Sequence, residues 1–124
     1  MTDSILNSIK KLLGIAEDDH SFDQDVLMHI NTILMVVAQE WHGREFFRVE
    51  DASDTWEDFI GEDNIDYDGL KTLVYLRVRL LFDPPNNSFV IQSMNEQIKE
   101  LEWRMYTWKD NERILQNGKQ DVHL

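Results

Sequence analysis

The sequence of 124 residues contains no cysteine, which excludes disulfide bonds, cysteine-based zinc sites and thiol nucleophiles. No apolar run approaches the roughly 20 residues that a membrane-spanning helix needs. The first residues, 1–4, have no basic stretch of the kind that opens a signal peptide, so we expect a soluble chain made in the cytoplasm. No glycine-rich phosphate loop and no nucleophile elbow is present either.

Proline is scarce, and both copies stand together at Pro84-Pro85. They interrupt two stretches of helical character, because proline lacks an N–H donor and its ring clashes with the preceding turn. The first stretch covers 70–82, and the second is expected to begin at Ser88 as its N-cap. The second stretch carries apolar residues at alternating gaps of three and four, which predicts a helix that packs along its whole length. These seam residues are Ile91, Met94, Ile98, Leu101, Met105 and Trp108.

Three further helices are predicted upstream of this hairpin. Asp3 or Ser4 caps a short helix with Ile5, Ile9, Leu12 and Leu13 on one face, and Gly14 ends it. Ser21 and Gln24 form a capping box that opens a second helix, apolar almost all round, to about residue 39. Thr55 caps a single turn over 56–60 that Gly61 ends, with Trp56, Phe59 and Ile60 turned onto the core. Residues 46–49 suggest a short extended piece.

The predicted architecture is all-α: a compact antiparallel bundle of four main helices plus one short helix, with a flexible C-terminal tail. The length fits a single folded domain. The helical domain is predicted to cover residues 1–108. The seam weakens after Trp108, where Glu112 takes the next seam position, and residues 109–124 form a C-terminal extension that we expect to be flexible until docked.

The net charge of −12 is concentrated in one segment. Residues 50–68 contain nine acids and no base, and a surface of this kind repels nucleic-acid phosphates. Reading of DNA sequence is therefore improbable, and a solvated loop and a negatively charged functional surface are the two interpretations of the segment.

No constellation of catalytic or metal-binding residues is found. The four histidines lack metal-pair spacing, and His29, on an apolar helix, is better explained as a core or interface residue. Residues 64–69 imitate the start of a calcium loop, but Tyr75 stands where the bidentate glutamate is required. Adjacent acids on a turn do not provide the two separated carboxylates of acid–base catalysis. We expect no enzyme, no metal and no cofactor.

Large apolar side chains away from the core predict an interface instead. Trp103 and Tyr106 lie off the seam of the last helix, so they either pack on the N-terminal helix of the same chain or meet a partner, where such residues are enriched. The residues proposed for a subunit or partner interface are Met28, Met35, Trp103, Tyr106, Trp108, Val122 and Leu124.

The run at 70–85 (LKTLVYLRVRLLFDPP), with Ser88-Phe89-Val90 and the segment at 96–104, resembles the small head–tail connector, or head-completion adaptor, proteins of long-tailed bacteriophages that infect Gram-positive bacteria. Residues 55–61 and 5–14 fit the same group, so the likeness covers about 4–108.

This resemblance implies a non-enzymatic helical protein of the virion neck. Copies form a ring beneath the portal vertex, with the twelve-fold symmetry of the portal, and extend the DNA channel. The ring offers a docking surface to the next neck or tail component, a stopper or tail terminator. The segment at 109–124, with Val122 and Leu124, would order on docking and contact the portal protein.

The composition agrees with this implication in two respects. A ring needs two different patches on each subunit, which the apolar second helix and the off-seam aromatics supply. Glu57, Asp58, Glu62 and Asp63, facing the channel, would repel duplex DNA and let it slide in passive contact. Two alternatives remain open: a small acidic regulatory protein that imitates DNA, and an enzyme with an unrecognised carboxylate site.

Overall fold

The computed structural model describes residues 3–41, 47–61 and 67–121, with side chains for 3–39, 47–61 and 68–105. Within these ranges the chain is all-α and contains no strand, which confirms the predicted fold class of four main helices and one short helix. In chain order the helices are α1 (Ile5–Leu13), α2 (Asp23–Trp41), α3 (Trp56–Ile60), α4 (Tyr67–Phe82) and α5 (Ser88–Asp121).

Helix α1 begins and ends where its capping residues predict. The Ser4 hydroxyl accepts a hydrogen bond from the Asn7 N–H at 3.2 Å, and Gly14 ends the helix in the left-handed conformation with φ 81°. Ile5 and Ile9 are fully buried, but Leu12, which was expected on the same face, is 49% exposed. The buried face instead includes Lys10, which lies one turn after Leu6.

The buried Lys10 ammonium group joins α1, the following loop and α2. Its Nζ donates to the carbonyl oxygens of Glu17 at 3.1 Å and Asp19 at 2.7 Å, and lies 2.8 Å from Asp23 Oδ1. Contact with this ammonium lowers the pKa of the Asp23 carboxyl below its ordinary value, and His20 adds to the effect. A buried cation is tolerated only when its donors are satisfied, and here two carbonyls and a carboxylate satisfy them.

Helix α2 starts later than the predicted capping box. It begins at Asp23, and the Ser21 N–H donates to the Asp19 carboxylate at 3.0 Å, so Ser21 belongs to the preceding turn. The helix is also less uniformly covered than its composition suggests. One side is buried and the other carries exposed methionines. The buried residues of α2 are Val26, Ile30, Ile33, Leu34, Val37 and Ala38.

The segment 47–61 is attached to the start of α1. An isolated bridge pairs Ser4 with Thr55, and the Trp56 indole donates to the Ser8 hydroxyl at 2.8 Å. Thr55 caps α3, as predicted, and in addition forms a full capping box with Asp58. The three large residues of α3 are buried, Trp56 completely, which confirms that this turn packs onto the core.

The predicted extended piece is not a strand where it is described. Residues 47–50 have no regular secondary structure, and Phe46 lies outside the described residues. The Asn31 side chain takes the place of a strand partner: its amide donates to the Val49 carbonyl at 3.0 Å and its carbonyl oxygen accepts the Val49 N–H at 2.7 Å. One amide side chain therefore holds the loop against α2.

The α4–α5 hairpin turns at the two prolines, as expected, but its second cap differs from the prediction. The Asn87 side chain, not Ser88, accepts the N–H of Phe89 at 2.8 Å. The seam residues Met94, Ile98 and Met105 are buried, which confirms the packing face of α5. Helix α2 makes its most extensive contact with α4, and α4 packs in turn on α5.

The described part of the C-terminal segment is helical, and its flexibility before docking stays a prediction. Helix α5 continues without interruption through 109–121, and residues 122–124 lie outside the described part. Its 34 residues span about 51 Å, whereas the 16 residues of α4 span about 24 Å. Good helix-forming residues such as Glu112, Arg113 and Leu115 sustain the helix after the apolar seam weakens. A domain boundary at residue 108 stays a prediction.

We expect Lys10→Met to destabilise the fold by about 3 kcal/mol, because it leaves Asp23 and two carbonyl oxygens without their cation. The neighbouring Lys11→Met, at an exposed position, should change stability by less than about 0.5 kcal/mol. Because the pKa of Asp23 is lowered in the folded state, its stabilisation is present above 3.8 and lost as the pH falls through the folded pKa. Urea denaturation from pH 7 to pH 2 measures both effects. Equal stabilities of the two variants would contradict the role of Lys10.

The capping of α5 gives a second prediction. Asn87→Ala should cost about 1 kcal/mol of unfolding free energy, because the Phe89 N–H loses its acceptor. Ser88→Ala, the matched control at the next position, should cost much less. Thermal denaturation of the two variants measures the difference, and the reverse order would restore Ser88 as the cap.

Candidate interaction surfaces

The described side chains contain no group of three or more histidine, aspartate or glutamate residues placed to hold a metal ion. The sequence at 64–69 that resembles the start of a calcium loop is followed by α4. There Tyr75, at the position where a calcium loop has glutamate, accepts a hydrogen bond at its hydroxyl from Arg79 at 2.9 Å. In the same part of the chain, no helix is both long enough and apolar enough to cross a membrane.

The first surface lies on the outer side of α2. Met28 is 58% exposed and Met35, two turns later, is 38% exposed. Together with Leu27 they line a shallow groove between α2 and the loop that carries Arg48 and Val49. Methionine side chains adapt to many partner shapes, so this groove, named here the methionine groove, is suited to a protein contact.

The second surface lies on the outer side of α5. Trp103 is 67% exposed, so the interpretation that it packs on the N-terminal helix of its own chain is wrong. Phe89, two heptads earlier on the same face, is 79% exposed. Exposed aromatic residues on a polar helix face are typical of interfaces. Of the other predicted interface residues, the side chains of Tyr106, Trp108, Val122 and Leu124 lie outside the described part.

Several carboxylates of the acidic segment accept hydrogen bonds from nearby backbone N–H groups. The Asp54 carboxylate accepts the N–H of Glu50 at 2.7 Å, and that of Asp58 accepts the N–H of Thr55 at 3.2 Å. Hydrogen bonds from Ser53 lower the pKa of the Asp51 carboxyl. These acids shape turns and cap α3.

Of the four acids predicted to face a channel, Asp58 and Glu57 are both exposed. The Glu57 carboxylate accepts the N–H of Asp3 at 3.4 Å. Glu62 and Asp63 lie outside the described residues. Two members of the set are thus at the surface, and the orientation of the set stays a prediction.

A third surface was missed by the sequence reasoning. The rings of Phe22 and Phe82 meet edge to face with centroids 5.8 Å apart, and the His29 ring lies 6.3 Å from Phe82. These residues line an open cleft with Leu81, which is 53% exposed, and with two acids. The available signal was that Leu80, Leu81 and Phe82 form three consecutive apolar residues, and one helix cannot bury all of them on a single face.

A protein-family comparison provides the context for these surfaces. A family model described as phage connector protein matches residues 5–112. No curated protein and no solved structure matches the chain significantly. The matched range covers the helices from α1 into the distal half of α5, so it includes all three surfaces.

Proposed function

The chain belongs to the phage connector protein family, and on that premise we propose that it is a ring-forming subunit beneath the portal vertex. The family is one of structural proteins at the head–tail junction, which supports a location in the virion neck with portal and neck or tail components as partners. The match over residues 5–112 is the observation that carries the proposal. We propose further that the ring contains twelve copies and that it extends the DNA channel.

The exposed surfaces support assembly into a ring. A ring closes through contacts between two different patches of neighbouring subunits. The methionine groove on α2 and the Trp103 face of α5 are two such patches on separate helices. We assign them to the contact between neighbouring copies, so that each copy presents one patch to either side. The distal part of α5, with residues 109–124, is assigned to the portal contact.

The acidic segment supports passage of DNA through the ring. In this proposal Glu57, Asp58, Glu62 and Asp63 face the lumen, where negative charge repels the phosphate backbone. A DNA-imitating regulator is the less favoured function, because Asp51, Asp54 and Asp58 are engaged in local turns and a cap. Such fixed, locally paired acids are poorly arranged to reproduce the regular spacing of phosphates.

Ring formation is tested by mixing the protein with the portal of the same phage and imaging the product by cryo-electron microscopy. We expect a ring of this chain on the portal. Met28→Glu combined with Met35→Glu should reduce the assembled fraction at least about tenfold, because charge replaces apolar contact at the subunit boundary.

The matched control is Asn95→Glu with Gln97→Glu, which adds the same charge at exposed positions of α5 outside the two patches. It should assemble normally. Absence of any ring with the unaltered chain at every salt concentration would refute the proposed function, whereas normal assembly of the methionine variant would refute only the assigned patch.

The channel assignment is tested by reversing charge at Glu57, Glu62 and Asp63 while leaving Asp58, which caps α3. Rings should still form, and DNA release from reconstituted particles should slow by about tenfold at low salt, because the lumen now attracts phosphate. The delay should shrink as salt screens the charges.

Reversal of Glu17 and Asp18 combined with Asn95→Lys and Gln97→Lys, which makes the same total change of charge at exposed positions outside the segment, is the control for net charge. It should leave the rate of DNA release unchanged. An unchanged rate in the Glu57, Glu62 and Asp63 variant would show that the segment does not face the DNA.

A further inference from the structure

The cleft at the turn end of the bundle has no role in the assignments above. It lies where α2 begins and α4 ends, and it is named here the hairpin-end cleft. We propose that it docks an apolar side chain flanked by Lys or Arg, presented by a neighbouring neck protein. This inference rests on the proposed function, since it requires a neck in which such a neighbour exists. The residues of the cleft are Leu13, Ile15, Phe22, Asp25, His29, Leu81, Phe82 and Asp83.

The apolar side chains of the cleft are only partly covered by the fold itself. Phe22 is 44% exposed and Leu81 is 53% exposed, although both stand beside the half-buried Phe82. The edge-to-face contact between Phe22 and Phe82 holds two aromatic walls in place. The cleft is thus preformed, and its walls stay partly in water unless another molecule covers them.

Exposed apolar residues are concentrated at this end of the molecule. The short turn at 83–87 places the first turn of α5 beside the last turn of α4, so Phe89 and Val90 lie at the same end as the cleft. Four of the eight large apolar side chains that are exposed in the described part, Phe22, Leu81, Phe89 and Val90, therefore lie at this end, although Phe89 also belongs to the outer side of α5.

The charges beside the cleft specify the chemistry of the occupant. Asp25 and Asp83 line it, and no Lys or Arg does. Neither carboxylate has an ion-pair partner within 4.0 Å among the described residues. Arg79 lies close enough to Asp83 to be affected by it, but its guanidinium donates to the Tyr75 hydroxyl. An occupant with Lys or Arg beside an apolar anchor would satisfy both acids.

Charge also favours a different protein over a second copy of this chain. The two acids of the cleft, with no Lys or Arg beside them, create a local negative field that opposes an acidic segment of another copy, whose net charge is −12. A basic segment of a neighbouring neck protein is attracted by the same field. The remaining polar side chain of the cleft is His29, whose ring contacts Phe82.

The occupant is identified by placing a photoreactive benzoyl-phenylalanine at position 81 of the full chain and irradiating assembled necks. We expect a cross-link to the portal or to the adjacent neck protein, at a peptide with an apolar residue next to Lys or Arg. The same group at exposed position 97, further along α5, is the control and should give no cross-link to that peptide. A cross-link from position 81 to this chain, or none at all, would overturn the proposal.

Binding measurements test the charge component with the purified portal and the purified adjacent neck protein as probes. Asp83→Lys should weaken binding to one of them at least tenfold at low salt, and it is tolerated by the fold because a cation suits the end of α4. Asn95→Lys combined with Gln97→Lys makes the same total charge change on the flanks of α5, away from Phe89 and Trp103, and should have little effect.

Leu81→Ser should weaken the same interaction without lowering stability, because the side chain is already exposed. Unchanged affinity in both the Asp83 and the Leu81 variants would refute the cleft as a docking site while rings still form on the portal. Failure of the unaltered chain to form rings would instead refute the proposed function, so the two failures are distinguishable.

Discussion

The ammonium group of Lys10 lies in the interior between α1 and α2, and the placement of the first half of the chain depends on its partners. Two backbone carbonyls and the Asp23 carboxylate surround it, so the loop between the helices cannot move away without leaving a buried cation unpaired. The helix C-terminus at Gly14 and the first turn of α2 are thereby held together. Apolar packing alone, being non-directional, would not select this arrangement.

Polar side chains fix the second connection in the same way. The Asn31 amide holds residue 49 against α2, and the Trp56 indole holds α3 against α1 through Ser8. Arg77 on α4 pairs with Glu102 on α5 and Lys71 pairs with Asp3, which adds charged contacts between elements. The acids of the segment 50–58 are largely used in this local construction. Part of the acidic segment therefore stabilises the local fold, although its charge alone suggests a single functional surface.

The exposed apolar side chains are not explained by the stability of the isolated bundle. The bundle buries one side of each main helix, and Met28, Trp103 and Leu81 remain in water on three separate surfaces. A chain that functions alone gains nothing from such exposure, whereas a subunit in an assembly covers it on docking. The family match and these surfaces agree, because a connector protein interacts with portal and neck or tail components.

Helical period, two adjacent prolines and the capping residues Ser4 and Thr55 by themselves determined the helices, their order and the all-α class, because these signals act within a few residues. The use of Asn87 instead of Ser88 as a cap, and the continuation of α5 to residue 121, depend on small local differences that pattern reasoning does not resolve. Only the tertiary structure decided that Lys10 is buried and that Phe22, Leu81 and Asp83 share a cleft. Contacts between residues far apart in sequence arise from helix packing, and the residues of a single helix do not specify which other helix packs on them.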